Sequence, residues 1–182
     1  MIVPESGGKV IVPESGGQVI VLETAEATRE FGRQLAQVLE RGDLVVLTGP
    51  LGAGKTALTQ GVGAGLGVRG PVVSPTFVIA RVHAGGRLPL VHVDAYRLSS
   101  LDEVADLDLD VAVEDSVTVV EWGAGLVEQL TDAHLEIVLS RRSDSEVREA
   151  RLQPSGDDWV RRVELLVVGN PSGTDRAQSP TD

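Results

Sequence analysis

The chain has no cysteine, which excludes a disulfide framework and any thiolate metal site. Its three histidines, His83, His92 and His134, lie far apart and lack the spacing of a ligand set. No apolar run approaches the roughly 20 residues that cross a bilayer. The N-terminus lacks a basic segment followed by an apolar core, so nothing there reads as a secretory signal. Together these absences lead us to expect a soluble, cytoplasmic protein with no membrane contact. Positive charge is also scarce, since 16 lysines and arginines against 27 acidic residues leave a net charge of −11. Free-standing nucleic-acid binders draw most of their affinity from a basic face. DNA binding is therefore not expected, and tRNA could be met only through partners. Lysine is the scarcest cation: only Lys9 and Lys55 occur, and arginine supplies every other positive side chain.

What is present is enough for one cored domain: 182 residues with 42% hydrophobic content, too few for two ordinary domains. The chain opens on a direct repeat, IVPESGGKV at 2–10 and IVPESGGQV at 11–19. Two copies are too few for a solenoid, so residues 1–17 read as a flexible, locally duplicated segment. Residues 18–168 read as the domain and 169–182 as a disordered tail. Val19 to Leu22 suits a first strand. Thr24 can cap a helix from about Ala25 to Glu40, with Phe31, Leu35, Val38 and Leu39 on one stripe. Leu44 to Leu47 is a short, continuously apolar strand of the kind buried on both faces of a parallel sheet.

Further along, a helix after Lys55 carries Leu58, Val62 and Leu66 but is weakened by Gly61, Gly63 and Gly65. The stretch from Phe77 to Leu98 reads as a hairpin turning at Gly85-Gly86. Expected next are an acidic helix at Leu101 to Leu107, a strand at Val117 to Val120, and a helix from about Ala124 to Leu130. A strand at Leu135 to Leu139 and another in EVREARLQP complete the pattern, while residues 157–168 suit helix or strand equally. This alternation predicts an α/β fold with antiparallel additions to the sheet.

The chemistry begins at Gly49-Pro50-Leu51-Gly52-Ala53-Gly54-Lys55-Thr56, with a strand before it and a helix after it. That context makes Gly-x-x-x-x-Gly-Lys-Thr a phosphate cradle. The glycines at 49, 52 and 54, with Ala53, let the backbone curl so that N–H groups converge on phosphate at a helix N-terminus. Lys55 is placed to reach the β- and γ-phosphates, and the Thr56 hydroxyl to ligate Mg²⁺. The compact ammonium of lysine suits this loop where a planar guanidinium does not.

A magnesium–nucleotide site also needs a carboxylate at the end of a neighbouring strand. Asp94 ends LVHVD and Glu121 ends VTVVE, and ligands sit outside the carboxyl ends of strands in open α/β sheets. Neither has the adjacent Asp-Glu pair of many ATPases, so either could hold the metal. One assignment gives Glu121 to Mg²⁺ and Asp94 to the attacking group. Ser74 and Thr76 lie in a loop where nucleotide hydrolases place γ-phosphate sensors, though Ser-Pro-Thr is equally a turn signal. On composition alone, Trp122 reads as core and the acidic run from Asp102 to Asp115 as a solvated face.

GPLGAGKT, SPTF, VHVDAYRL and VVEWG, in this order and at about this spacing, resemble the TsaE (YjeE) family, bacterial ATPases of tRNA threonylcarbamoyladenosine synthesis. The resemblance covers roughly Val19 to Leu139. It implies a P-loop domain whose central parallel sheet is flanked by antiparallel strands, with helices on both faces. It implies ATP and Mg²⁺ as ligands and a TsaB–TsaD pair as partner, with TsaD transferring the threonylcarbamoyl group to adenosine beside the anticodon. Hydrolysis by a TsaE-like protein supports repeated turnover of that complex. By position, the resemblance makes Lys55 and Thr56 nucleotide and magnesium residues, and puts Ser74 and Thr76 in a switch-like loop. It also raises Asp94, Glu121 and Trp122 to active-site candidates. Pro50 departs from the family's more usual Asp at that position.

Three other readings use the same cradle. A small-molecule kinase would need an arginine-bearing lid, and the only arginine pairs, 141–142 and 161–162, fall late in the chain. A GTPase with the usual Asn-Lys-x-Asp guanine motif is excluded, because the only asparagine is Asn170. A module in which ATP serves purely as an assembly signal shades into the favoured reading, for which weak intrinsic ATPase activity is expected.

Overall fold

A computed structural model describes residues 9–11, 18–75, 79–98, 114–141 and 145–168. In chain order they form β1 (Lys9–Ile11), β2 (Gln18–Leu22), α1 (Ala25–Val38), β3 (Leu44–Thr48), α2 (Lys55–Leu66), β4 (Ala80–His83), β5 (Leu90–Asp94), β6 (Val117–Glu121), β7 (His134–Arg141), β8 (Arg148–Ser155) and α3 (Asp157–Val168). One eight-stranded sheet runs in the order β1-β2-β8-β7-β3-β6-β5-β4. β3 pairs in parallel with β6 and β7, and β5 pairs in parallel with β6. The remaining pairings, β1 with β2, β2 with β8, β8 with β7, and β4 with β5, are antiparallel. This is the parallel centre with antiparallel borders that the sequence predicts.

Burial explains the sequence patterns. All of β5 and β6, and all of β3 but Thr48, are buried; Leu44 to Leu47 of β3 read as an unbroken apolar run because both faces are covered, while β5 and β6 also bury His92, Asp94, Thr118 and Glu121. β7 alternates buried and half-buried residues along its first six positions, so only one of its faces meets a packed layer. That layer joins Val45 and Leu47 of β3 to Phe31 and Leu35 of α1, Leu58 and Val62 of α2, and Trp159 and Val163 of α3. The three described α-helices therefore cover the same face. The opposite cluster centres on Leu44, Val46, Val91, Val93 and Val120, closed by Val127, Leu98, Leu126 and Leu130. These closing residues lie in loops and 3-10 turns.

Local signals act where they were read. The Thr24 hydroxyl accepts a hydrogen bond from Ala27 N at 3.0 Å, a side-chain cap for α1. The ambiguous segment 157–168 is helical. Asp157 and Asp158 occupy its first turn, where they complement the helix dipole, and Trp159, Val163 and Leu166 are buried at helical spacing. The expected helix at 124–130 shrinks to a 3-10 turn, Glu128–Leu130. Gly123 and Gly125 weaken any helix there by about 1 kcal/mol each. The acidic helix expected at 101–107, most of Asp102–Asp115, the tail at 169–182 and most of 1–17 lie outside the described residues. Within the last of these, β1 adds to the edge of β2. No described helix is long and apolar enough to cross a membrane.

Candidate nucleotide and metal site

Parallel pairing brings the candidate residues together. β3 delivers the phosphate loop at its carboxyl end. The register aligns Leu47 with Glu121 and Asp94 with Glu121, so both carboxylates end their strands beside that loop. They line one cavity of about 580 Å³ with Gly52, Gly54, Lys55, Thr56, Ser74, Tyr96 and Trp122. Its size falls within the range of small-molecule sites.

Lys55 is buried at 5% exposure. Its ammonium donates to the carbonyls of Gly49 at 2.6 Å and Pro50 at 3.0 Å, and lies 3.7 Å from the centre of the Trp122 ring. Burial holds its pKa below the ordinary lysine range, opposed by the carboxylates of Glu121 and Asp94. Trp122 is half-buried, not core. It has a φ of 64°, a left-handed backbone that costs a non-glycine residue about 1–2 kcal/mol. The turn is held by Trp122 N donating to Leu47 O at 3.0 Å. It lays the indole across Lys55, with Tyr96 edge-on at 5.3 Å. The Pro50 ring is exposed, so the departure at that position leaves the cradle open.

The Thr56 hydroxyl stands 3.0 and 3.2 Å from the two carboxylate oxygens of Glu121. Neighbouring ligands on an octahedral magnesium, each at about 2.1 Å, are themselves about 3 Å apart. These two hard oxygens therefore fit such an ion. Asp94 is engaged differently: its carboxylate accepts from Ser74 Oγ at 3.3 Å and from Tyr96 N at 3.1 Å. Among the candidates, then, Glu121 sits with Thr56, and Asp94 with Ser74. Ala53 is buried behind the loop, and Thr76 lies outside the described residues.

Two side chains escaped the sequence reading. His92 places Nε2 2.9 Å from Glu121 Oε1. The available signal was its position two residues before Asp94, which puts both on one face of β5. Arg148, at 6% exposure, supports the loop from below. Its Cδ and Nε come within 3.1 Å of where a Cβ on Gly54 would sit. No local pattern announces that contact, because it joins β8 to a loop about 90 residues earlier.

A family model described as threonylcarbamoyl adenosine biosynthesis protein TsaE matches residues 22–150. The chain is 59% identical over 147 residues to the tRNA threonylcarbamoyladenosine biosynthesis protein TsaE of Streptomyces coelicolor, covering 78% of this chain and 99% of that one. The protein of the same name from Bacillus subtilis is 42% identical over 142 residues, covering 78% and 88%. The crystal structure of Bacillus subtilis YdiB superposes with a TM-score of 0.71 at 31% identity, covering 89% of this chain and 98% of that one. The chain belongs to the TsaE family of threonylcarbamoyladenosine biosynthesis proteins.

Proposed function

We propose that the chain binds ATP with magnesium and hydrolyses it slowly, as the ATPase component of the cytoplasmic machinery that forms threonylcarbamoyladenosine in tRNA. The observation that carries this reading is the meeting of Thr56 with Glu121 at 3.0 Å beside a phosphate-loop lysine, in a member of this family. Backbone N–H groups of residues 52–56 would hold the β-phosphate at the start of α2. The Lys55 ammonium, now on two loop carbonyls, would exchange them for phosphate oxygens with little movement. Thr56 and Glu121 would hold the ion, which when bound offsets charge on the β- and γ-phosphates. Asp94 would orient the attacking water, while Trp122 shields one side of the site. Ser74 and Thr76 belong to the segment that would report whether the γ-phosphate is present.

In this role the partner is a TsaB–TsaD-like complex, and tRNA is met through it. The test is threonylcarbamoyladenosine formation over many turnovers, with the cognate TsaB–TsaD complex, tRNA, ATP and threonylcarbamoyl-adenylate. The intact protein should sustain turnover, and Lys55→Ala should behave as no addition does. Equal yields in all three, with ATP binding intact in the unaltered protein, would overturn the proposal and direct the search to a phosphoryl acceptor.

A further inference from the structure

The buried Glu121 carboxylate, at 3% exposure, needs donors to offset its lost hydration. It receives two side-chain hydrogen-bonding groups. One is Thr56, whose oxygen is needed for the ion in the proposed function. The other is His92, at 0% exposure, on a strand bonded on both sides by β4 and β6. We propose that His92 is a positioning residue for Glu121, holding one carboxylate oxygen through Nε2–H so that the carboxylate keeps its aim at the Thr56 side of the metal–nucleotide site. The inference rests on the metal–nucleotide reading above.

Two observations favour this over a histidine that merely fills the core. The first is directional: Nε2 lies 2.9 Å from Glu121 Oε1, while Nδ1 is buried and finds no partner among the described residues. A buried N–H left unpaired costs about 1–3 kcal/mol. The hydrogen-bond pattern therefore assigns the ring proton to Nε2, pointed at the carboxylate. The second is positional. His92 shares a face with Asp94 on β5, and Glu121 pairs with Asp94 on β6, so the ring approaches the carboxylate from within the sheet. The cavity is lined by Glu121, Thr56 and Lys55 but not by His92. A donor behind a ligating carboxylate is what orients it, and losing such a partner commonly costs 10–100-fold in metal affinity.

The test compares the full chain with His92→Leu, which removes the donor, and His92→Gln, which keeps a side-chain N–H. A fluorescent non-hydrolysable ATP analogue is titrated in EDTA and in excess Mg²⁺. Mn²⁺ binding in the presence of nucleotide is read by electron paramagnetic resonance, and thermal melting reports folding. His92→Leu should bind nucleotide in EDTA as the unaltered protein does, yet lose about 10–100-fold in Mn²⁺ affinity. His92→Gln should recover most of that loss. A lower melting temperature with unchanged Mn²⁺ affinity would overturn the inference and leave His92 as core packing. Absence of any metal-dependent nucleotide binding in the unaltered protein would overturn the functional reading itself. Should His92→Leu fail to fold, ¹⁵N-correlated NMR of the unaltered protein decides: the Nε2–H tautomer is expected, and the Nδ1–H tautomer sinks the proposal.

Discussion

Asp43 and Arg162 show how much one side-chain pair can hold. The Arg162 guanidinium donates to both Asp43 carboxylate oxygens, at 2.6 and 2.9 Å, and to Val38 O at 3.0 Å. It also lies 3.8 Å over the Trp159 ring. Burial acts to lower the Arg162 pKa, but the Asp43 hydrogen bonds and charge, together with the charges of Asp158 and Glu40, outweigh it and leave the pKa raised. The side chains are only 12% and 9% exposed, so the pair escapes the screening that makes surface ion pairs weak. It ties α3 to the end of α1 and the start of β3. Arg162→Ala would leave Asp43 charged and desolvated, at a cost of about 3–5 kcal/mol. Equilibrium urea unfolding should show this, and Arg162→Lys should recover only part of it, because lysine has no bidentate fork. The glutamate–arginine contacts along α1 are 33–64% exposed, and their loss should barely register.

At the scale of elements, the glycines of α2 invert their sequence meaning. By propensity they weaken the helix, but they allow α1 and α2 to touch backbone to backbone. A Cβ on Gly61 would stand 2.0 Å from Arg29 O, and one on Gly65 would stand 2.6 Å from Ala36 Cβ and 2.8 Å from Arg33 O. Gly32 returns the contact, 2.4 Å from Leu58 O. Gly61→Ala gains about 1 kcal/mol of helix propensity. The overlap is with main chain, which cannot rotate away, and forcing the helices apart costs on the order of 1–3 kcal/mol or more. The steric term wins, so Gly61→Ala should lower the urea midpoint. Because α2 starts at the phosphate loop, nucleotide affinity should fall with it. A rise in stability would show that the helices separate freely.

For the molecule as a whole, the net charge of −11 sets the terms of any encounter with nucleic acid. Counterion release from phosphate contacts needs lysine and arginine on a common face. Here Arg33, Arg41, Arg161 and Arg162 are paired with acidic partners. The isolated protein should therefore show no tRNA binding at about 10 μM protein in physiological salt, a concentration at which ordinary non-specific binders, with dissociation constants of about 1–100 μM, already register. Filter binding across a salt series checks this. Tight binding with a steep salt slope would mean that the chain meets tRNA directly, without the proposed partner complex.

The Gly-rich turn from Gly49 to Thr56, the strands around it and the two strand-end carboxylates were legible along the chain because each rests on neighbouring residues. Loop curvature, helix capping and two-residue alternation are short-range effects. So were the α/β class and the parallel centre, since strands buried on both faces read as largely apolar runs, as Leu44 to Leu47 does. Folding decided which residues meet across the sequence. The sequence left the metal role open between Asp94 and Glu121; the β3–β6 register set Glu121 against Thr56, 65 residues away. His92 was one of three scattered histidines until β5 paired with β6, and Trp122, core by composition and an active-site candidate only by resemblance, is laid across Lys55 by a left-handed turn. That the three described helices cover one face, and that glycine suits the seam of α1 with α2, follow from packing. Packing depends on distances between elements, which no stretch of sequence contains.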